Sequence, residues 1–161
     1  MNYAKIHPKH TLKESIRQIF QICVGNLLDS VKTEGGFLME FQTLIENRRS
    51  VRKYSSNTNV TKEQIQQLVQ AALEAPSWKN TETGRYYCVL SEDVSQKLRK
   101  ECLCYANNDI KTEHAALIVT TFVHNRAGFQ TDGTPDNEIG NGWGCYDLGL
   151  QNENLILKAT E

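Results

Sequence analysis

A chain of 161 residues has the length of one domain and can withdraw roughly two-thirds of its unfolded surface from water, so no metal or disulfide staple is required. Lys and Arg total 18 against 19 Asp and Glu, which argues against a nucleic-acid partner, and 39% hydrophobic residues fit a globular rather than a disordered chain. Charge-free stretches such as Gln18 to Leu28 fall well short of the ~20 apolar residues of a membrane-crossing helix. The polar N-terminus carries no secretion signal, so a cytoplasmic location without membrane attachment is expected.

In chain order, Leu12, Ile16, Ile19, Phe20, Cys23, Val24, Leu27 and Val31 recur at helical spacing, and Thr11 with Glu14 forms a capping-box pattern, which predicts a helix over 11–32. Phe41, Leu44, Ile45 and Arg48 predict a second helix. Thr61 and Gln64 predict the cap of a third, which carries Ile65, Leu68, Val69, Ala72 and Leu73 and stops at Pro76. Residues 85–90 read as a strand, and 91–100 as a helix with Val94 and Leu98 inward. Residues 115–123 form a near-continuous apolar run, the mark of a strand buried on both faces. A Gly-rich loop over 128–144 precedes a helical pattern over 146–160. The mixture predicts an α+β or α/β sandwich, but two strands make a marginal sheet, so a strand is missing from this reading.

The five cysteines, Cys23, Cys88, Cys102, Cys104 and Cys145, include no C-x-x-C pair, so reduced thiols are expected and no metal role is assigned. Two constellations can carry chemistry. Arg48-Arg49-Ser50-Val51-Arg52-Lys53 sets four cations and a hydroxyl at a helix end, which suits a phosphorylated ligand or, more simply, forms a solvated basic face. The segment from Ala75 to Tyr87 (APSWKNTETGRYY) is rich in hydrogen-bonding groups where a helix hands over to a strand; it is either a ligand loop or a satisfied turn.

A helix ending in RRSVRKY, a downstream APSWKN loop and the stretch from Glu138 onward (EIGNGWGCYDLGLQNENLILKATE) together resemble the FMN-dependent nitroreductase family, and especially its anaerobic bacterial branch. The resemblance covers residues 39–161. It implies an α+β, nitroreductase-like fold with a central antiparallel or mixed sheet flanked by helices. It also implies that Arg48, Arg49, Ser50 and Arg52 bind the FMN phosphate, ribityl chain and pyrimidine edge. Pro76, Ser77, Trp78 and Asn80 would reach the flavin from a partner subunit, which implies a homodimer with the cofactor at its interface, and Asn108 would lie near the ring. The implied chemistry is ping-pong: NADH or NADPH delivers hydride to the flavin, and a nitroaromatic, quinone or similar small acceptor takes the electrons. That scheme needs no protein nucleophile or general base, so no catalytic residue is assigned. Packing is expected of Trp143 and Tyr146, and surface or loop positions of His7, His10, His114 and His124.

The sequence departs from the family in three places. Thr81-Glu82-Thr83-Gly84 replaces the Gln-Pro-Trp that follows the asparagine in many members. The chain ends where the family continues into a further strand, a basic stretch and an exchanged arm, so it is expected to lack the C-terminal strand and arm. Residues 1–38 match nothing in the family and read as an extension, a translated leader or fusion relic. Two other readings follow from these departures: a non-catalytic remnant or interaction module with a vestigial flavin site, and a flavoprotein that catalyses reductive dehalogenation or flavin fragmentation instead.

Overall fold

A computed structural model of the chain describes residues 20–24, 40–51, 54, 60–102 and 116–161. Among these residues three strands, β1 (Phe20–Val24), β2 (Gly84–Val89) and β3 (Ala116–Phe122), form an antiparallel sheet in the order β1-β3-β2. The registers run Phe20 opposite Thr120 to Val24 opposite Ala116, and Gly84 opposite Phe122 to Val89 opposite Leu117. Among the described residues, four helices accompany the sheet: α1 (Phe41–Asn47), α2 (Lys62–Leu73), α3 (Glu92–Cys102) and α4 (Gly142–Thr160). None is long and apolar enough to cross a membrane among the described residues.

The central strand is the apolar run. Leu117, Ile118, Thr120 and Phe122 are all buried, and because neighbouring residues of a strand point to opposite faces, both faces of β3 are covered. Helix α2 begins with the capping box expected of Thr61 and Gln64, each side chain accepting from the other's backbone N–H at 3.2 and 2.9 Å. Its Ile65, Leu68 and Ala72, three and four residues apart, form one buried stripe that packs with Ile118 of β3 and Leu155 of α4. Helix α4 lies across the sheet beside α2, and Asn154 Nδ2 donates to the Ala71 carbonyl at 3.2 Å.

Three expectations are corrected. Residues 20–24 form a strand, not part of a helix; the remainder of the predicted 11–32 helix lies outside the described residues. The apolar types of Phe20, Ile22 and Val24 alternate with period two as well as satisfying helical spacing, and the second edge of β3 supplies the backbone partners that decide between them. Residues 20–24 thus add a strand to the two read from the sequence. Helix α4 starts at Gly142 instead of Tyr146, because Gly144 is helical for a packing reason. A Cβ there would stand 2.4 Å from the Phe122 ring, so glycine lets α4 sit directly on β3. In α3 the inward face carries Ser95, half-buried Leu98 and Arg99, leaving Val94 49% exposed. Small Ser95 permits the approach, and the Arg99 stem packs while its guanidinium lies 3.8 Å from Glu92.

Candidate functional site

The segment between α2 and β2 is a tight turn centred on a single 3-10 turn, Trp78–Asn80. Pro76 ends the helical path, as expected from its missing N–H. Lys79, Asn80 and Glu82 then adopt φ of 48, 54 and 47°, left-handed backbone that disfavours side chains and is left to glycine in most turns. Local bonds hold part of this shape: Ser77 Oγ accepts from the Glu82 N–H at 3.0 Å, and Thr81 Oγ1 donates to the Trp78 carbonyl at 2.7 Å.

The rest of the grip comes from afar. The Trp78 backbone N–H donates to Asp147 Oδ2 of α4 at 2.9 Å. Its indole N–H donates to Asp136 Oδ2 at 3.3 Å, and Lys79 Nζ meets the same oxygen at 2.9 Å. The Trp78 ring stacks on Trp143 with centroids 4.1 Å apart, and Tyr146 meets Trp143 edge-on at 6.1 Å. Trp143 in turn donates to Asn137 Oδ1 at 3.0 Å. Gly128, at φ 80°, makes room for it, since a Cβ there would lie 2.5 Å from the indole. Turn, Gly-rich loop and α4 thus meet in one polar and aromatic knot. Trp143 packs as expected, whereas Tyr146 is 60% exposed.

Buried polar groups continue along α4. Asp147 and Gln151, four residues apart on one face, are 2% and 1% exposed. Burial pushes the Asp147 carboxyl above its ordinary pKa, partly opposed by the Trp78 N–H. Gln151 Oε1 accepts from the Tyr86 hydroxyl at 3.1 Å, and burial pushes that phenol up to about 12. Thr83 Oγ1, at the head of β2, is buried and finds no hydrogen-bond partner among the described residues.

The arginine segment is held differently. Arg48 lies 3.8 Å from Glu153 of α4, with both side chains more than a third exposed. The Arg49 guanidinium folds back to the Glu46 and Arg48 carbonyls, satisfying groups that the end of α1 leaves open. Ser50 follows, exposed. The two motifs therefore both abut α4, through Glu153 and Asp147, six residues or about 9 Å apart along its axis. Arg52 and Asn108 lie outside the described residues.

Pro76, Ser77, Trp78 and Asn80 come together as one structured turn. Asp136, Asp147 and Lys79 belong to the same arrangement and were not singled out by the sequence. The readable signal for Asp147 is its position on the stripe Gly144, Leu148, Gln151 and Leu155, where a charged residue is out of place among buried neighbours.

The protein is 33% identical over 63 residues to the Bacillus subtilis (strain 168) protein named "Putative NAD(P)H nitroreductase MhqN", a match covering 39% of this chain and 31% of the relative. A BluB-like flavoprotein from Clostridium difficile 630 superposes with a TM-score of 0.57 at 26% identity, covering 74% of this chain and 69% of that one. A Desulfovibrio desulfuricans structure described as "a putative nitroreductase in complex with fmn" shares the fold with a TM-score of 0.55 at 20% identity, covering 79% of this chain and 63% of that one. The chain thus spans under a third of the curated relative and under two-thirds of the FMN-complexed structure. The model of the nitroreductase family matches residues 45–161, well over half of the sequence and both motifs, and on that ground the chain belongs to the nitroreductase family.

Proposed function

We propose that the chain forms part of the FMN site of an oxidoreductase that draws electrons from NADH or NADPH and passes them to a nitroaromatic, quinone or similar small acceptor. The observation that carries this reading is that one helix carries both donor-rich motifs, the arginine segment through Glu153 and the Trp78 turn through Asp147, so that each of two copies would have arginines to hold the cofactor and a turn to offer to its partner's.

The donor set fits the cofactor. Two guanidinium groups and a hydroxyl in three consecutive residues suit a phosphate, and the side-chain contact that Arg48 makes among the described residues is a long, exposed ion pair. Arg49 and Ser50, with Arg52, would complete the shell around phosphate, ribityl chain and pyrimidine edge. Ser77 and Asn80 would bind from the turn, Pro76 and Trp78 would shape it, and Asn108 would lie near the ring. When bound, FMN supplies the redox chemistry, taking up and releasing the electron pair. The protein's part is to bind, orient and shield it.

A second copy of the chain is part of this reading. Helix α1 buries none of its residues, and Phe41 and Ile45 are 67% and 45% exposed; apolar groups displayed this way suit a covered surface. A partner would then bring its turn to this chain's arginines.

The test is reconstitution. The purified chain mixed with FMN should retain flavin absorbance through gel filtration and then oxidise NADH or NADPH faster when a nitro compound or quinone is added. Colourless protein that takes up no FMN would refute the proposal and favour the reading as a non-catalytic interaction module.

A further inference from the structure

We infer that Asp147 and Asp136 are positioning residues that grip the Ser77–Glu82 turn from two sides and hold it in the shape that meets the cofactor; this rests on the FMN-site reading above. Three residues of the turn, Lys79, Asn80 and Glu82, occupy left-handed backbone without being glycine, a shape that persists only where surrounding contacts over-determine it. Bonds inside the turn close it locally but do not fix where it sits. Among the described residues, the side-chain hydrogen bonds that reach outside go to the two carboxylates, 58 and 69 residues further along the chain, with the Trp143 ring packed against Trp78 beside them.

Their division of labour follows from their surroundings. Asp147 is 2% exposed on α4 and spends a buried carboxylate on the Trp78 backbone N–H, 2.9 Å away. That acceptor tolerates little displacement, because a buried polar group that loses its partner is costly. Asp136, at the rim, takes the Trp78 indole N–H and the Lys79 ammonium on one oxygen, which sets the direction of the ring. The Trp78–Trp143 stack depends on both anchors.

That stack provides a readout independent of flavin. The chain has two tryptophans, and both are in this pair, so their exciton coupling in circular dichroism reports the position of the turn. The experiment measures this signal and FMN affinity in the full chain for Asp147→Leu, Asp147→Asn, Asp136→Ala and the double variant Asp147→Leu with Glu82→Gly. Asp147→Leu should lose most of the coupling and weaken FMN binding about tenfold, the worth of one buried hydrogen bond. Asp147→Asn, whose amide oxygen accepts the same N–H, should keep both. Glu82→Gly relieves one left-handed residue and should recover part of the affinity in the double variant. Coupling and affinity both unchanged in Asp147→Leu, or coupling lost with affinity intact, would overturn the inference. If Asp147→Leu does not fold, Asp136→Ala decides in the same two readouts. Should the wild-type chain bind no FMN, the FMN-site reading fails by itself, while the coupling still decides whether the carboxylates hold the turn.

Discussion

The two motifs that abut α4 are held by opposite means. The Trp78 turn is strained, half-buried and tied to distant carboxylates and a stacked indole, so its geometry is part of the fold. In the Arg48–Ser50 segment, which is more exposed, Arg48 makes a long ion pair to Glu153 and Arg49 folds back onto local carbonyls. The contrast teaches that a binding site can combine a rigid wall with an adjustable cation: shape is supplied where a ring must be met, and charge where a flexible phosphate tail arrives. Substitutions around the turn should therefore change stability, whereas those in the arginine segment should change binding and little else.

The largest effect should come from the base shared by both. Leu155 is fully buried between α2 and β3, and Leu155→Ala should lower stability by about 2–5 kcal/mol, seen as a fall in the urea midpoint. A loss below about 1 kcal/mol would show that α4 is not the common platform. Next, Gly144→Ala would drive a methyl into the Phe122 ring, 2.4 Å away, and should cost about 1–3 kcal/mol. A neutral outcome would mean that α4 can shift off β3 without penalty, and the fixed position of the turn would lose its explanation.

The carboxylate of the turn has a pH signature. Burial raises the Asp147 pKa in the folded chain, so the folded state holds the proton more tightly than the unfolded one. Its contribution to stability is complete below the ordinary carboxylate value of about 4 and is lost as pH rises through the raised value. Relative to Asp147→Asn, the wild type should lose stability across that window, measured as the difference between urea midpoints at a series of pH values. Parallel profiles would contradict the burial of a titrating group there. A smaller, opposite effect is expected at Thr83: its buried hydroxyl lacks a partner among the described residues, so Thr83→Val should raise stability by about 1 kcal/mol, read by thermal melting.

Much of the scaffold was legible because its determinants are local. The Thr61/Gln64 box and the Ile65, Leu68, Ala72 stripe are visible within a dozen residues, and the apolar run of β3 announces a central strand. What was not legible depends on partners. Residues 20–24 satisfy two periodicities, and only the open edge of β3 selects the strand. Gly144 reads as loop until the Phe122 ring is known to lie against it. The motifs pointed to the Trp78 turn, yet Asp136 and Asp147, which bond to it, lie too far along the sequence for spacing to associate them with Trp78.

The central claim is that the arginine segment binds the phosphate of FMN beside the preformed turn, and titration of FMN into wild-type chain and Arg48→Ala tests it most directly. Losing a charge-assisted phosphate bond should weaken binding by about 1.5–3 kcal/mol, roughly 10- to 150-fold, while the exposed Glu153 pair makes the stability change no more than about 1 kcal/mol. Equal FMN affinity in the two proteins would contradict the account.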